Sequence, residues 1–138
     1  MIAHKKQNDT QTFAIINLKV EKMTTLTIYG IKNCDTMKKA FKWLEAHNIA
    51  YEFHDYKKQG IDENALFQAI ERYGWDSVIN KRGTTWRKLP DNVKSTMDQQ
   101  SALIHAAENP SLIKRPLLIQ GQSILLGFDE TVYANTLQ

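Results

Sequence analysis

The sequence predicts an α/β domain in which a mixed sheet is flanked by helices. Three observations support this fold class. Residues 24–73 alternate between strand and helix spacing, a helical stretch without sustained periodicity follows, and two apolar runs joined by a tight turn precede a last helix. The length of 138 residues suits one domain with a sizeable core.

The first half of this order is readable from side-chain spacing. Leu26 to Tyr29 form a short apolar run that Gly30 ends, and the apolar residues after it recur at helical spacing between lysines. Residues 51–56 alternate as a half-buried strand, and residues 61–64 begin a second helix. The two helices are marked by Met37, Ala40, Phe41 and Leu44, and by Leu66, Ala69, Ile70 and Tyr73.

The middle of the chain is less regular. Residues 74–90 contain two tryptophans, two glycines and a basic cluster, which predicts short helical pieces and an irregular loop. Residues 98–109 predict a further helix that ends before Pro110. Its apolar markers are Leu103, Ile104 and Ala107.

The end of the chain predicts a hairpin and a helix. Residues 116–120 and 123–126 are apolar runs joined at Gly121 and Gln122, as in an antiparallel pair. Asp129 is predicted to cap the last helix. A β-α-β start, a helical middle and a β-β-α end are typical of the thioredoxin-like fold, with helices on both faces of the sheet.

The first 22 residues differ in character from the rest. They are polar and charged up to Thr12, then carry a brief apolar patch before Met23 and a clear strand signal. We expect residues 1–22 to be a disordered N-terminal extension and residues 23–138 to be the folded domain. The alternative is that residues 13–20, which contain isoleucine and valine, form an extra strand.

Composition excludes several classes of function. The net charge of +3 is too small for a dedicated nucleic-acid binder, and no apolar run approaches a membrane span. The single cysteine excludes an intramolecular disulfide and a multi-cysteine zinc site, and the four histidines have no metal-ligand spacing. We therefore expect a cytoplasmic protein without a metal, a membrane contact or a nucleic-acid partner.

Cys34 lies where the chain passes from the first strand to the first helix. The unpaired N–H groups and the positive dipole end of a helix favour a thiolate, and Lys32, Lys38 and Lys39 add positive potential, although Asp35 opposes it. We expect the pKa of the Cys34 thiol to be lowered and the residue to be reactive. The alternative is that Cys34 is a small buried apolar residue, as most free cysteines are.

A redox cycle at Cys34 needs a thiol from outside the chain. Met37 stands where a dithiol motif would place the second cysteine. A mixed disulfide at Cys34 is therefore resolved only by glutathione or a reductant protein such as a glutaredoxin. Glutathione is expected as a co-substrate rather than a bound cofactor, and its two carboxylates would give the basic residues an anion to bind.

Basic residues elsewhere are candidates for that anion. Arg115 precedes Pro116 and the apolar strand, and its guanidinium suits a bidentate contact with an oxyanion or carboxylate. Residues 80–87 contain Lys81, Arg82 and Arg87 and predict a second anion-binding wall. The alternative for both is a solvated surface charge, and Trp86 is interpreted as a core or pocket-wall residue.

Three stretches together resemble one family. They are residues 27–36 around Cys34, residues 80–89 and residues 109–116. In this order they resemble the arsenate reductase (ArsC)/Spx-like branch of the thioredoxin-like superfamily, and within it the YffB-type proteins, over about residues 24–137. The resemblance implies that Cys34 is the nucleophile, that Pro116 is a cis-proline beside it, and that Arg115 holds the oxyanion.

The departures from that family bear on the substrate. Arsenate reductases of the family carry a histidine four residues before the cysteine and an arginine four after it, where this chain has Gly30 and Lys38. Their other two oxyanion arginines fall on Asn80 and Gly127, and Arg82 is a candidate replacement for the first. An arsenate dianion would therefore be held incompletely. Spx-type regulators commonly carry a Cys-x-x-Cys motif, which this chain lacks.

The sequence thus predicts a monomeric, glutathione-dependent thiol oxidoreductase that acts on a small oxidised substrate. Its catalytic residues are Cys34 and Arg115. A weak arsenate reductase with the same nucleophile is one alternative, and a non-catalytic module that binds RNA polymerase is the other. The predicted substrate-binding residues are Lys32, Asn33, Lys38, Arg82 and Pro116.

Overall fold

The computed structural model describes residues 25–137. The expected N-terminal extension, its alternative as an extra strand and the start of the domain at Met23 lie outside these residues. Among the described residues, no helix has the length and apolar character needed to cross a membrane.

A four-stranded mixed sheet forms the centre of the domain. Its strands are β1 (Leu26–Gly30), β2 (Tyr51–Asp55), β3 (Leu117–Gln120) and β4 (Ser123–Leu126), in the order β2-β1-β3-β4. β1 and β2 are parallel, with Leu26 opposite Tyr51, whereas β1–β3 and β3–β4 are antiparallel. The predicted mixed sheet and the closing hairpin are therefore confirmed.

Helices of very different length connect and flank these strands. The three longest and the last are α1, α3, α7 and α8, and most of the others are single turns in the middle of the chain. In chain order the described helices are α1 (Asp35–Ala46), α2 (Tyr56–Gln59), α3 (Glu63–Tyr73), α4 (Trp75–Val78), α5 (Thr84–Arg87), α6 (Asp91–Ser95), α7 (Gln99–Glu108), a 3-10 turn (Pro110–Leu112) and α8 (Glu130–Thr136).

The sheet buries side chains on both of its faces. Because successive residues of a strand point to opposite faces, Ile28 packs with α1 and α8 while Tyr29 packs with α3 and α7. Leu118 and Leu117 divide in the same way. Two apolar clusters result, one on each face, as the predicted arrangement of helices requires.

Helix α7 differs from its sequence pattern in one respect. The prediction that residues 98–109 form a helix is confirmed, with Asp98 as its N-cap. However, the buried residues of this helix are Ala102 and Ala106, while the Ile104 side chain is 54% exposed. Small side chains at i and i+4 let α7 pack on the core, Leu103 packs partly against it, and Ile104 faces outward.

Of two local features near helix starts, one was predicted from the sequence and the other was not. The predicted cap of the last helix is present, since the Asp129 carboxylate accepts hydrogen bonds from the N–H groups of Thr131 and Val132, at 3.0 and 3.1 Å. The single turn α2, directly after β2, was not predicted. It forms because the Asp55 side chain accepts the N–H of Lys57 at 3.0 Å and caps it.

Candidate active site

Cys34 is the N-cap residue of α1. Its backbone is extended, with φ −150° and ψ 130°, and its carbonyl accepts the first helical hydrogen bond, from the Lys38 N–H at 3.0 Å. The side chain is half-buried and makes no capping hydrogen bond among the described residues. The thiol thus lies beside the free N–H groups of a helix start while it remains accessible, as the sequence predicted.

The surroundings of Cys34 lower the pKa of its thiol. Burial acts in the opposite direction and raises it, but the Met37 backbone N–H, the Arg115 side chain and the Thr36 backbone N–H together outweigh burial. The predicted direction is therefore confirmed. Its cause differs in part, because the cation that stabilises the thiolate is Arg115, whereas Lys32 and Lys38 are exposed beside the loop.

Arg115 is held by the backbone of its own loop. One guanidinium nitrogen, Nη1, donates to the carbonyls of Ser111 and Ile113, each at 3.1 Å. Its Nε is buried and has no hydrogen-bond partner among residues 25–137. Two anchoring bonds fix the guanidinium beside the thiol, and the buried Nε–H is a donor without an acceptor.

The loop that carries Arg115 contains the expected cis-proline. The Arg115–Pro116 peptide bond is cis, and the Pro116 carbonyl accepts the N–H of Gly127 at 2.8 Å. Gly127 has a φ of 82°, a conformation that favours glycine. This bond ties the start of β3 to the segment after β4, so that both lie next to Cys34.

These segments enclose a pocket of about 340 Å³, which we call the cysteine pocket. A groove of about 680 Å³ between α3 and α7 is larger but has no nucleophile in its lining. The chemistry therefore selects the smaller space as the candidate active site. The cysteine pocket is lined by Cys34, Thr36, Asn80, Lys114, Arg115, Gly127 and Phe128.

The structure brings together only some of the predicted site residues. Cys34 and Arg115 line the pocket, and Pro116 adjoins it through Gly127. Lys32 instead lines another surface depression, with Phe41 and Tyr51. A substrate-binding role for the remaining residues stays a prediction. They are exposed and outside the pocket lining: Asn33, Lys38 and Arg82.

Two positions identified by the resemblance meet in the pocket. Asn80 and Gly127, which fall on the family's oxyanion arginines, both line it. Arg82 is not in this lining, although its backbone N–H donates to the Asn80 side chain at 3.3 Å. Within the described pocket, the charge at the thiol comes from Arg115, and asparagine and glycine stand where arginines would be.

Gly30 stands where arsenate reductases of the family carry a histidine, and the side chain of Met37 fills the space beside it. A Cβ on Gly30 would lie 2.4 Å from Sδ of Met37 and 2.8 Å from its Cε. Met37 is 0% exposed. The methionine that replaces a second cysteine therefore also fills the space beside Gly30, and a larger residue at position 30 would displace it.

Sequence reasoning missed three residues of the pocket. Phe128 carries no signal in the sequence, whereas Thr36 lies within the matched stretch 27–36 and could have been found there. Lys114 lies next to Arg115 within the matched stretch 109–116 and could have been found there. No group of three or more histidine, cysteine or acidic residues that could hold a metal occurs in the described part of the chain.

Comparisons with known proteins agree with this geometry. A model of the ArsC family matches residues 29–136. An uncharacterized protein of Haemophilus influenzae is 54% identical over 108 residues, which cover 78% of this chain and 95% of that protein. The global transcriptional regulator Spx of Listeria monocytogenes is 30% identical over 108 residues, or 76% of this chain and 81% of Spx.

Solved structures show the same likeness. The YFFB (PA3664) protein has a TM-score of 0.79 at 46% identity and covers 83% of this chain and 100% of its own. An arsenate reductase (ArsC) related protein from Brucella melitensis has a TM-score of 0.65 at 46% identity, over 81% of this chain and 93% of its own. The mixed sheet, the position of Cys34 and the family match over most of the chain show that this protein belongs to the ArsC family.

Proposed function

We propose that this protein is a cytoplasmic, monomeric, glutathione-dependent thiol oxidoreductase with Cys34 as its nucleophile. The observation that carries the proposal is the accessible thiol of lowered pKa, which lines a small polar pocket beside the Arg115 guanidinium. A thiolate at neutral pH is the reactive form in disulfide exchange. Arg115 stabilises that thiolate and the negative charge that develops when a disulfide is attacked.

The reaction balances with one cysteine and two glutathione moieties. The Cys34 thiolate attacks the glutathione sulfur of a mixed disulfide, and the substrate leaves as a thiolate that takes up a proton. A second glutathione thiolate then attacks the glutathione sulfur held on Cys34 and releases oxidised glutathione. The net change is reduction of the substrate disulfide at the expense of one glutathione, and Cys34 is regenerated as a thiolate.

The exposed residues around the pocket have a secondary place in this proposal. Asn33 and Lys38 flank Cys34 in sequence, and Pro116 forms the cis bond beside Arg115. Lys32 and Arg82 lie outside the pocket lining. These residues contact the parts of a substrate that extend beyond the pocket, where cations favour an acidic peptide.

The test is turnover of a glutathionylated peptide in the presence of glutathione, compared between the wild-type protein and Cys34→Ser. We expect steady release of peptide thiol by the wild type and only the uncatalysed rate with the variant. Equal rates for both proteins would rule the proposal out. Sedimentation of the same samples checks that the active species is a monomer.

A weak arsenate reductase is the second candidate. The likeness to an arsenate reductase (ArsC) related protein favours it. The pocket argues against efficient turnover, because Asn80 and Gly127 supply no guanidinium and Gly30 supplies no imidazole. Arsenate turnover with glutathione and glutaredoxin is measured beside the peptide assay, and a faster rate on arsenate would replace our preferred function.

A non-catalytic binding module is the third candidate, favoured by the 30% identity with Spx. Such a module would contact a partner, RNA polymerase being the one expected from the sequence. It predicts that Cys34→Ser leaves recovery of purified RNA polymerase on the immobilised protein unchanged. An oxidoreductase predicts no stable recovery with either protein.

A further inference from the structure

Lys114 is a cation of the cysteine pocket that has no acidic partner among residues 25–137. The one salt bridge that the structure records within residues 25–137 joins Lys94 to Asp91. Lys114 is exposed and lines the pocket with Cys34 and Arg115. Its backbone is fixed, because its N–H donates to the Val78 carbonyl at 2.8 Å. The backbone that carries Lys114 is thus held in place beside the pocket, and the ammonium group forms no ion pair with another described residue.

The side chain of Lys114 lies against the bare backbone of Gly127. A Cβ at position 127 would be 3.3 Å from Cε of Lys114 and 3.8 Å from its Nζ. Because the φ of Gly127 is 82°, glycine is favoured at this position, and the lysine stem can remain there. The close approach places the ammonium group at the wall formed after β4.

Lys114 and Arg115 therefore have different tasks although they are neighbours in sequence. Arg115 acts on the thiol and lowers its pKa, and two backbone carbonyls hold its guanidinium in place. Lys114 is not among the groups that lower this pKa. A cation in the pocket that does not act on the sulfur is suited to a negative charge several bonds away from the reacting atom.

We propose that Lys114 binds a carboxylate of the glutathione moiety and thereby makes Cys34 prefer anionic disulfides to neutral ones. The inference rests on the proposed function and names its specificity residue. Glutathione carries its sulfur and two carboxylates on one short peptide, so the sulfur can reach Cys34 while a carboxylate meets the ammonium. Lysine suits a single flexible carboxylate, because its ammonium is a point charge with rotatable donors.

The test measures mixed-disulfide formation on Cys34 with oxidised glutathione and with bis(2-hydroxyethyl) disulfide, which is neutral. In each reaction the thiolate displaces one thiolate from the disulfide, and mass spectrometry follows the adduct. In Lys114→Met, the ratio of the two rates should fall by about two- to fivefold, the loss expected for one ion pair near a protein surface. The pH dependence of alkylation should not change.

Lys42→Met is the matched control. Lys42 is an exposed lysine on α1, eight residues after Cys34 and so about 12 Å further along the helix. The same charge is removed outside the pocket, and the rate ratio should stay at the wild-type value. Lys114→Arg should retain most of the preference. An unchanged ratio in Lys114→Met, or an equal fall in Lys42→Met, would overturn the inference.

Failure of this inference is distinguishable from failure of the proposed function. If the wild type reacts rapidly and Lys114→Met keeps its preference, the oxidoreductase stands and the role of Lys114 is wrong. If the wild type reacts with neither disulfide, the proposed oxidoreductase function is wrong. The role of Lys114 is then tested by the binding of a glutathione derivative alone. S-Methylglutathione, titrated by NMR, should then bind the wild type more tightly than Lys114→Met, and the absence of that difference would reject the role.

Discussion

Arg115 is the residue that joins the thiol to the rest of the pocket. Its guanidinium is held by the carbonyls of Ser111 and Ile113 and acts on the Cys34 thiol from that fixed position. A group held in place stabilises a developing charge without first having to be reoriented. The acidity of the thiol should therefore depend on Arg115 more than on the nearby exposed lysines.

Substitution of Arg115→Gln should raise the pKa of the Cys34 thiol. The favourable charge is removed while burial, which raises the pKa, remains. The thiolate fraction at neutral pH then falls, and iodoacetamide should alkylate the variant several-fold more slowly there. The two proteins should approach the same rate at high pH, where both are ionised.

The control is Lys38→Met, which removes an exposed charge next to the same loop. Its alkylation profile against pH should move less than that of Arg115→Gln. If the lysine variant moved as far, the exposed lysines would share the task that we assign to the guanidinium. Circular dichroism of both variants checks that the fold is retained.

Gly30 and Met37 form a second pair whose effect belongs to the residue scale. Gly30→Ala would place a methyl group 2.4 Å from Sδ of Met37. The methionine must shift within a closed core, so we expect the free energy of unfolding to fall by about 1–3 kcal/mol. Urea unfolding measures this change, and a loss near zero would show that Met37 yields freely.

A double-mutant cycle with Met37→Ala separates this contact from other effects. In the background of Met37→Ala the methyl group at position 30 finds space. Gly30→Ala should therefore cost less there than in the wild type. Equal costs in the two backgrounds would mean that the strain has another source.

At the scale of the elements, helix α8 supports one wall of the pocket. The hydroxyl of Tyr133 donates to the Gly127 carbonyl at 2.6 Å, and Tyr133 is buried against Trp43 and Phe128. Asp129 caps the helix that carries this tyrosine. A terminal helix far from Cys34 in sequence therefore determines where Gly127 and Phe128 lie.

Tyr133→Phe should weaken this support without changing the shape of the core. The Gly127 carbonyl loses its buried donor, and we expect the free energy of unfolding to fall by about 1–3 kcal/mol. Thermal unfolding measures the loss. Amide hydrogen exchange at Gly127 and Phe128 should speed up, and unchanged exchange there would contradict the proposed link between α8 and the pocket.

At the scale of the whole molecule, buried tyrosines should make the free energy of unfolding fall as the pH rises in the alkaline range. Burial raises the pKa of Tyr29, Tyr56 and Tyr133 above the usual value of 10.0. The negative charges of Asp62 and Glu52 raise that of Tyr29 further, against a lowering contact with Thr27. Above pH 10 these phenols ionise in the unfolded chain while they remain protonated in the folded one.

Stability should consequently be independent of these groups below about pH 10 and fall as the pH rises above it. Each such tyrosine adds a slope of about 1.4 kcal/mol per pH unit in that range. Tyr56→Phe removes one titrating group and should make the decline shallower. Urea unfolding at a series of pH values measures the slope, and an identical slope in the variant would show that Tyr56 does not contribute.

Local sequence determined most of the secondary structure of this protein and the position of Cys34 within it. The spacing of apolar residues predicted β1, α1, β2, α3 and the closing hairpin, because one buried face per element imposes a period of two or 3.6 residues. The same local logic placed Cys34 at the start of a helix. The short turn α2 and the exposure of Ile104 were not predictable, since they depend on a side-chain cap and on which face α7 packs.

Only the tertiary structure decided which of the candidate residues line the pocket and which stay outside it. Cys34, Asn80 and Arg115 lie far apart in the sequence, and their meeting depends on strand register and on the return of the chain through Gly127. Local sequence pointed to the helix start and to the nearby lysines as the sources of the thiol's acidity, because neighbours in sequence are visible there. The guanidinium that lowers the pKa comes from the far end of the domain, because folding, and not sequence distance, sets the separation of charges.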